Sequence, residues 1–283
     1  FGAFGGTTPA GVDLMQLFIA PTVAWKSGAH AFGASLNFAW QRFEANGLQP
    51  FTGPGFSVSP GDVTNRGHDT STGWGLRVGW TGQVTPTVTL GATYQTKTRM
   101  SAFEKYKGLF AGNGDFDIPE NFGAGIAWKA SSALTLAADV VRINYGDIPA
   151  VGNPADCFFA GTCQLGASNG PGFGWRNTTV YKFGAAYQLS PQLTLRGGFI
   201  TLDQPIPSSQ TFFNILAPGV VENHLTLGAT WTLANQSEIT LAYMHAFEKK
   251  VNGSGSIPAA FAGGEANLRM SQNSLGIGWG WKY

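Results

Sequence analysis

The last nine residues, Leu275 to Tyr283, constrain the fold more than any other part of the chain. Large apolar residues occupy every odd position of this stretch, and Gly or Lys occupies every even one. Because side chains alternate between the two faces of a β-strand, this strand has one broad apolar face and one nearly bare face. Such a strand suits contact with lipid, and Trp279, Trp281 and Tyr283 fit the aromatic girdle of a transmembrane β-barrel. The alternative is an edge strand of a soluble β-protein.

The composition favours the membrane alternative. Only 12% of the residues are charged, whereas about a quarter is usual in soluble domains. The uninterrupted apolar runs are far shorter than the ~20 residues that a membrane-spanning helix needs. A membrane protein without such a helix must cross as a closed barrel. The net charge of +1 and the scattered Lys and Arg residues give no indication of a nucleic-acid partner.

The same alternation recurs along the chain and predicts about 11 strands. Short turns are expected near residues 26–29, 85–87, 130–133, 190–192 and 235–236, and long loops at 44–70, 101–118, 146–174, 203–219 and 250–265. Turns at one end and loops at the other are typical of periplasmic turns and extracellular loops. The sequence therefore predicts an all-β fold, an antiparallel transmembrane β-barrel, as a single domain over residues 1–283. Since bacterial barrels have even strand numbers, at least one strand is expected to be missing from the front.

Two features concern the processing of the chain. Cys157 and Cys163 are close together in a loop-like segment, and in an envelope protein they predict a disulfide that closes a small loop. A metal site is not predicted, because no His or further Cys lies nearby. The chain begins at Phe1 without a signal peptide, so a processed or truncated chain is expected.

Short motifs spread along the chain carry a family resemblance. They are Gly174-Trp175-Arg176, Tyr181 to Gly184, Leu193 to Gly198 with Asp203, Pro205 and Pro207, Tyr243-Met244-His245, Asp13 to Thr22, Gly114 to Pro119 and Asn214 to Glu222. Together they resemble the outer-membrane long-chain fatty-acid transporter (FadL) family. The resemblance implies a 14-stranded barrel in the bacterial outer membrane, with an N-terminal hatch inside. Counted back from Tyr283, the predicted strands correspond to the fourth to the fourteenth, so the hatch and the first three strands are expected to be absent.

The resemblance also implies passive transport of long-chain fatty acids or other hydrophobic compounds. In the family, the ligand lands in a groove between two extracellular loops, which correspond here to residues 44–70 and 101–118. The candidate groove residues in these loops are Leu48, Phe51, Phe56, Phe103, Tyr106, Leu109 and Phe110. Exposed apolar loops are costly unless they bind something or pack together. The alternative is therefore that these rings simply pack the loops into a cap.

A fatty acid also needs a cation where its carboxylate stops. The strand alternation places Arg77, Lys97, Arg99, Lys182 and Arg196 on the lumen face, against one clear lumen acid, Asp139. An unpaired Arg or Lys would bind a carboxylate through charge-assisted hydrogen bonds. The alternative is that these charges pair with Asp139, with hatch residues or with water, because barrel interiors are normally polar.

An enzyme is not predicted. The four His residues are scattered, and no Ser, His and acid are spaced as a triad. No cofactor is expected, because diffusion along a lined path is downhill. A general or solute-selective porin and a loop-mediated adhesin barrel remain alternatives. The expected partners are a fatty acid or another hydrophobic small molecule and the outer-membrane lipid and lipopolysaccharide, with the protein as a monomer. The sequence leaves open whether the ligand is a fatty acid, an aromatic hydrocarbon or an alkane.

Overall fold

The computed structural model describes residues 6–281, and these residues form one large antiparallel sheet. Thirteen strands lie within this range: β1 (Gly11–Ile19), β2 (Thr22–Ser27), β3 (His30–Asn46), β4 (Asp69–Gln83), β5 (Val88–Gln95), β6 (Arg99–Met100), β7 (Asn121–Lys129), β8 (Leu134–Ile143), β9 (Thr178–Ser190), β10 (Leu193–Leu202), β11 (Asn223–Thr232), β12 (Glu238–Val251) and β13 (Leu268–Gly280). Neighbours in the chain are neighbours in the sheet, as in an up-and-down barrel. The sheet is open in the described range, where β1 and β13 form its two ends.

Two of the strands are interrupted. β1 and β2 both pair with β3 and are separated by Ala20 and Pro21. Proline cannot donate a ladder hydrogen bond, although the Pro21 carbonyl still accepts one from the Leu36 N–H at 3.1 Å. Similarly, β5 and β6 both pair with β4 and are separated by residues 96–98. If β1 with β2, and β5 with β6, are each counted as one interrupted strand, the described range contains eleven strands, as the sequence predicts.

The two faces of the sheet differ as the alternation predicts. Large apolar side chains are exposed on the outer face, with Leu275 and Ile277 each 75% exposed. Glycine, small and polar residues line the inner face. The last strand begins at Leu268, earlier than the apolar alternation indicates. Trp281 follows it and is exposed, whereas Lys282 and Tyr283 lie outside the described residues, so the predicted aromatic girdle is described only in part.

Short turns join the strands at one end, and five long segments lie at the other. These segments are residues 47–68 (the first loop), 101–120 (the second loop), 144–177 (the cysteine loop), 203–222 (the fourth loop) and 252–267 (the fifth loop). Together they are termed the loop cap. They contain helical turns at Gln49–Phe51, Pro60–Asp62, Glu104–Tyr106, Ala111–Gly114, Tyr145–Asp147, Pro149–Gly152, Asp156–Phe159, Ser208–Gln210, Phe213–Ile215 and Ala259–Phe261. No helix within residues 6–281 is long and apolar enough to cross a membrane.

The main buried apolar core lies in the loop cap. Phe103 and Tyr106 have no exposed surface, and Phe51, Phe158 and Phe212 are almost fully buried in the same cluster. A disulfide joins Cys157 to Cys163 beside Phe158, with an S–S distance of 2.09 Å. The outer face of the sheet is apolar and the inner face is polar, so the loops supply the apolar surface that the chain buries away from solvent.

Candidate ligand-entry site

An apolar pocket with a volume of about 120 Å³ lies inside the loop cap, above the inner face of β1 and β3. Six phenylalanines contribute to its lining, and none of its described lining residues is charged. The lining consists of Val12, Leu14, Phe43, Leu48, Phe51, Leu109, Phe110, Phe116, Ala150, Leu165, Pro171, Gly172, Phe173, Phe213, Leu216 and Ala217. Two strands and four loops therefore build one pocket, which is referred to below as the cap pocket.

Aromatic contacts and backbone hydrogen bonds hold the walls of the cap pocket. The ring of Phe110 lies 4.8 Å from that of Phe43 and 4.7 Å from that of Phe116, measured between centroids. These separations are typical of favourable aromatic pairs. The Gly112 N–H donates to the Ala167 carbonyl at 2.9 Å and joins the second loop to the cysteine loop. Gly112 has a φ of +78°, which favours glycine at this tight approach.

The structure separates the seven predicted groove residues into two groups. Leu48, Phe51, Leu109 and Phe110 line the cap pocket. Phe56, Phe103 and Tyr106 belong instead to the surrounding apolar core. Burial raises the pKa of the Tyr106 hydroxyl, which donates to the Gly67 carbonyl at 2.8 Å and accepts from the Ala45 N–H at 3.1 Å. Leu48, Phe51 and Phe110 belong to the apolar core as well, so the packing of the cap and the lining of the pocket share residues.

The remaining walls of the cap pocket were not predicted. Val12 and Leu14 come from β1, Ala150 and Leu165 from the cysteine loop, and Phe213 from the fourth loop. These segments are far apart in the chain and meet only because the barrel brings its loops together at one end. No local pattern in the sequence indicates that meeting.

Three of the predicted lumen cations, Arg77, Lys97 and Arg196, have close partners. The Arg77 guanidinium donates from Nε to Gln95 Oε1 at 3.0 Å, and a second guanidinium nitrogen donates to the same oxygen. Lys97 Nζ lies 3.1 Å from Asp117 Oδ2. Asp117 is buried in the second loop and also accepts the Met100 N–H at 2.7 Å. Lys97 is therefore neutralised by a loop carboxylate that the strand pattern does not indicate.

Lys182 and Arg196 lie on a large concave surface of the inner face, with a volume of about 700 Å³ between β8 and β13. Asp139 stands opposite Lys182 in the ladder between β8 and β9. Arg196 donates a hydrogen bond to the Thr230 hydroxyl, which also lies within 2.9 Å of the Thr240 hydroxyl. Both cations thus face the interior, and Arg196 is held by neutral partners.

Arg99 is not on the lumen face, which corrects the prediction from strand alternation. Arg77 stands opposite Gln95, whereas Trp74 stands opposite Arg99, so the pairing shifts by one residue across residues 96–98. A shift of one residue moves a side chain to the other face of a sheet. Arg99 therefore shares the outer face with Trp74, which is 62% exposed.

The second loop also contains a coupled pair of carboxyl groups. Burial raises the pKa of Asp115 to about 6, and the negative charge of Asp117 and its hydrogen bond add to the increase. Lys97 acts in the opposite direction but less strongly. Phe116 lies between these two acids in the chain and lines the cap pocket. The raised pKa of Asp115 thus belongs to the same segment of the second loop as one wall of the pocket.

The fold and the site define a class of protein. The antiparallel sheet is apolar outside and polar inside, and its long loops enclose an apolar pocket at one end. This combination defines a transmembrane β-barrel that handles hydrophobic compounds. The chain belongs to the family of outer membrane protein transport proteins (OMPP1/FadL/TodX), which it matches over residues 3–283. It is accordingly an outer-membrane protein of a family of transport channels for hydrophobic compounds.

Solved structures share this fold. A TodX deltaS2S3 mutant monoaromatic hydrocarbon channel is 19% identical, with a TM-score of 0.67, and the match covers 96% of this chain and 71% of that one. The Ralstonia pickettii toluene transporter TbuX is 18% identical, with a TM-score of 0.61 and coverage of 96% and 68%. A Pseudomonas aeruginosa FadL homologue is 15% identical, with a TM-score of 0.64 and coverage of 94% and 67%. At these identities the likeness concerns the fold. No curated protein sequence matches the chain.

Proposed function

We propose that the cap pocket takes up hydrophobic small molecules at the outer surface and passes them to the barrel interior by passive diffusion. The observation that carries this proposal is the pocket itself, which is closed in by apolar side chains and has no charged residue in its described lining. Burial of apolar ligand surface there would contribute about 25 cal/mol for each Å² removed from water. The membership of a transport family supports this proposal over a porin or an adhesin barrel.

The size of the pocket favours a compact ligand. Its volume of about 120 Å³ is close to that of a dry apolar protein cavity of roughly 150 Å³ that holds one benzene molecule. A neutral compound with a single aromatic ring therefore fits best. Two proteins of similar structure, a monoaromatic hydrocarbon channel and a toluene transporter, are named for ligands of this class.

Long-chain fatty acids form the second candidate class, because of the inner surface between β8 and β13. Its volume of about 700 Å³ is suited to a ligand much larger than one ring, and Lys182 and Arg196 lie on it. Arg77 lies on a separate concave part of the inner face, formed by β2 to β5. A carboxylate would bind these cations through charge-assisted hydrogen bonds. Each buried methylene of the tail would add ~0.8 kcal/mol.

A pocket-filling variant tests the proposal. Ala150 is buried and lines the cap pocket, so Ala150→Phe places a ring in the space that the ligand would occupy. The matched control, Ala160→Phe, changes an exposed residue of the same loop. Binding of labelled toluene is measured with the protein in lipid nanodiscs, and empty nanodiscs correct for partitioning into lipid.

Ala150→Phe is expected to weaken toluene binding at least about tenfold, because the added ring occupies the volume that the ligand needs and removes its contacts with the pocket walls. Ala160→Phe is expected to bind as the wild type does. Equal toluene binding by all three proteins would contradict a role for the cap pocket. Circular dichroism of the β-sheet checks that each variant is folded.

We further propose that residues 1–283 act as a single barrel domain and as a monomer. The apolar outer face would contact membrane lipid, and its rim at the loop end would contact lipopolysaccharide. The exposed large apolar residues of the outer face support the lipid contact.

A further inference from the structure

Gln41 is a buried amide without a hydrogen-bond partner. It lies on the inner face of β3 and has no exposed surface. Neither its Nε2 nor its Oε1 has a hydrogen-bond partner within the described residues. An unsatisfied buried polar group costs roughly 1–3 kcal/mol, so most buried amides are paired. Gln41 therefore keeps one donor group and one acceptor available at a measurable cost to stability.

The register places this amide directly below the cap pocket. Leu14 of β1 stands opposite Phe43 of β3, and both residues line the pocket. Gln16 and Gln41 stand opposite each other two residues further along the same strands, roughly 7 Å away. The inner face of β1 and β3 therefore changes from an apolar pair, Leu14 and Phe43, to a pair of amides at the lower edge of the pocket.

The neighbours of Gln41 do not satisfy its amide. Ser71 stands opposite it on β4, but the Ser71 hydroxyl donates to the Ser101 carbonyl. Gln16 is exposed, whereas Gln41 is covered. Because Gln41 is covered, a ligand would reach it only if neighbouring side chains moved as the ligand passed from the pocket towards the barrel interior. Gln41 is thus positioned at the step between the cap pocket and the lumen.

The hydrogen-bonding groups of the Gln41 amide indicate which ligand would bind most tightly beside it. A hydroxyl group donates one hydrogen bond and accepts another, so one phenol molecule can satisfy both Nε2 and Oε1. A carboxylate only accepts and would leave Oε1 unpaired. A hydrocarbon satisfies neither atom. An apolar pocket the size of one ring, followed by an amide, therefore matches a ring that carries a hydroxyl.

We propose that Gln41 is a specificity-determining residue that favours hydroxylated one-ring compounds, with phenol as the simplest member, over hydrocarbons of the same size. This inference rests on the proposed function, because it assumes that ligands enter through the cap pocket. Under this proposal the ligand carries a hydroxyl group, which hydrogen-bonds to Gln41 and not to the apolar lining of the pocket.

The test compares phenol with toluene, which have rings of equal size. Dissociation constants are measured for the full chain in nanodiscs with labelled ligands. Gln41→Met removes the amide and keeps a side chain of similar length. Gln16→Met is the matched control, since it removes the exposed amide of the same row. In Gln41→Met, phenol binding is expected to weaken about tenfold or more relative to toluene, because two neutral hydrogen bonds to the ligand are lost.

A second measurement uses unfolding in urea. Gln41→Met is expected to unfold at a higher urea concentration than the wild type, because an unpaired amide is replaced by an apolar group. Saturating phenol is expected to raise the wild-type midpoint more than the Gln41→Met midpoint, because a ligand stabilises the state that binds it more tightly.

The outcomes distinguish this inference from the proposed function. If Gln41→Met keeps the wild-type ratio of phenol to toluene affinity, or if Gln16→Met changes the ratio equally, the role of Gln41 is refuted while toluene entry stands. If the wild type does not bind toluene at all, the proposed function fails and this inference fails with it.

Discussion

Phe110 offers a stringent test of the cap pocket, because it both lines the pocket and supports the loop core. It is 6% exposed and its ring contacts those of Phe43, Phe103 and Phe116. Phe110→Ala would remove a wall of the pocket and leave a larger cavity. Truncation of a buried Phe to Ala costs about 3–5 kcal/mol. The lower part of this range is expected, because the Phe110 ring borders a pocket and so has fewer packing partners than a ring enclosed on all sides.

The effect on ligands should depend on their size. One aromatic pair contributes about 0.5–1.5 kcal/mol beyond its buried area, so loss of the Phe110 ring should weaken toluene binding by about tenfold. A two-ring hydrocarbon such as naphthalene should bind Phe110→Ala more tightly than it binds the wild type. Phe158→Ala is the matched control: Phe158 is equally buried in the loop core, at 4% exposure, but does not line the pocket.

Hydrogen exchange and ligand binding together provide the assay. The Gly112 N–H is bonded to the Ala167 carbonyl, so its exchange rate reports opening between the second loop and the cysteine loop. A loss of ~3 kcal/mol corresponds to an increase of roughly two orders of magnitude in this rate in Phe110→Ala. Phe158→Ala should loosen the cap without reversing the preference for toluene over naphthalene. The reasoning is refuted if both variants change that preference alike, or if neither does.

Two further predictions concern charged groups. The pKa of Asp115 is about 6 in the folded chain, above the 3.8 of an unperturbed Asp. The native loop therefore binds more protons between these two values, and its stabilisation is lost as the pH rises through about 6. Protection of the Phe103 N–H, which donates to the Gly114 carbonyl at 2.8 Å, should therefore be higher at pH 4.5 than at pH 7.5. Asp115→Asn should abolish this difference, whereas Asp147→Asn in the cysteine loop should retain it; a wild type without the difference would contradict the coupling. Removal of charge by Arg77→Gln or Lys182→Gln should weaken oleate binding about tenfold or more while leaving toluene binding unchanged, because charged hydrogen bonds contribute ~1.5–3 kcal/mol. Titration of both ligands measures this, and unchanged oleate affinity in both variants would reject the carboxylate anchor.

The strands could be predicted because a two-sided environment imposes a period of two on every strand. The pattern fails where the environment changes. Leu268 to Ser274 belongs to β13 but does not alternate apolar with small residues, so the start of that strand is indicated only by the predicted end of the last loop at residue 265. Arg99 was placed on the wrong face because one extra residue between β5 and β6 reverses the alternation, and the sequence gives no local signal for it.

Only those pocket residues were predicted that lie in loops whose own sequence is rich in aromatic residues. The first and second loops are rich in aromatic residues, and four of their seven candidates line the cap pocket. The other walls come from segments that meet only in the folded barrel. Likewise, the partner of Lys97 is Asp117, at the end of the second loop, because the loop folds back over the strand end. Contacts between distant segments have no periodicity from which they could be predicted.

The division of the pocket among four loops has a consequence for protein engineering and for divergence within the family. Grafting one loop into a related barrel would transfer only part of the wall and would leave mismatched surfaces with the others. Ligand range is therefore expected to be inherited or exchanged by the loops as a set. Substitutions on the outward surface of the cap leave the pocket lining unchanged and are expected to alter the ligand range less than substitutions of the side chains that face the pocket.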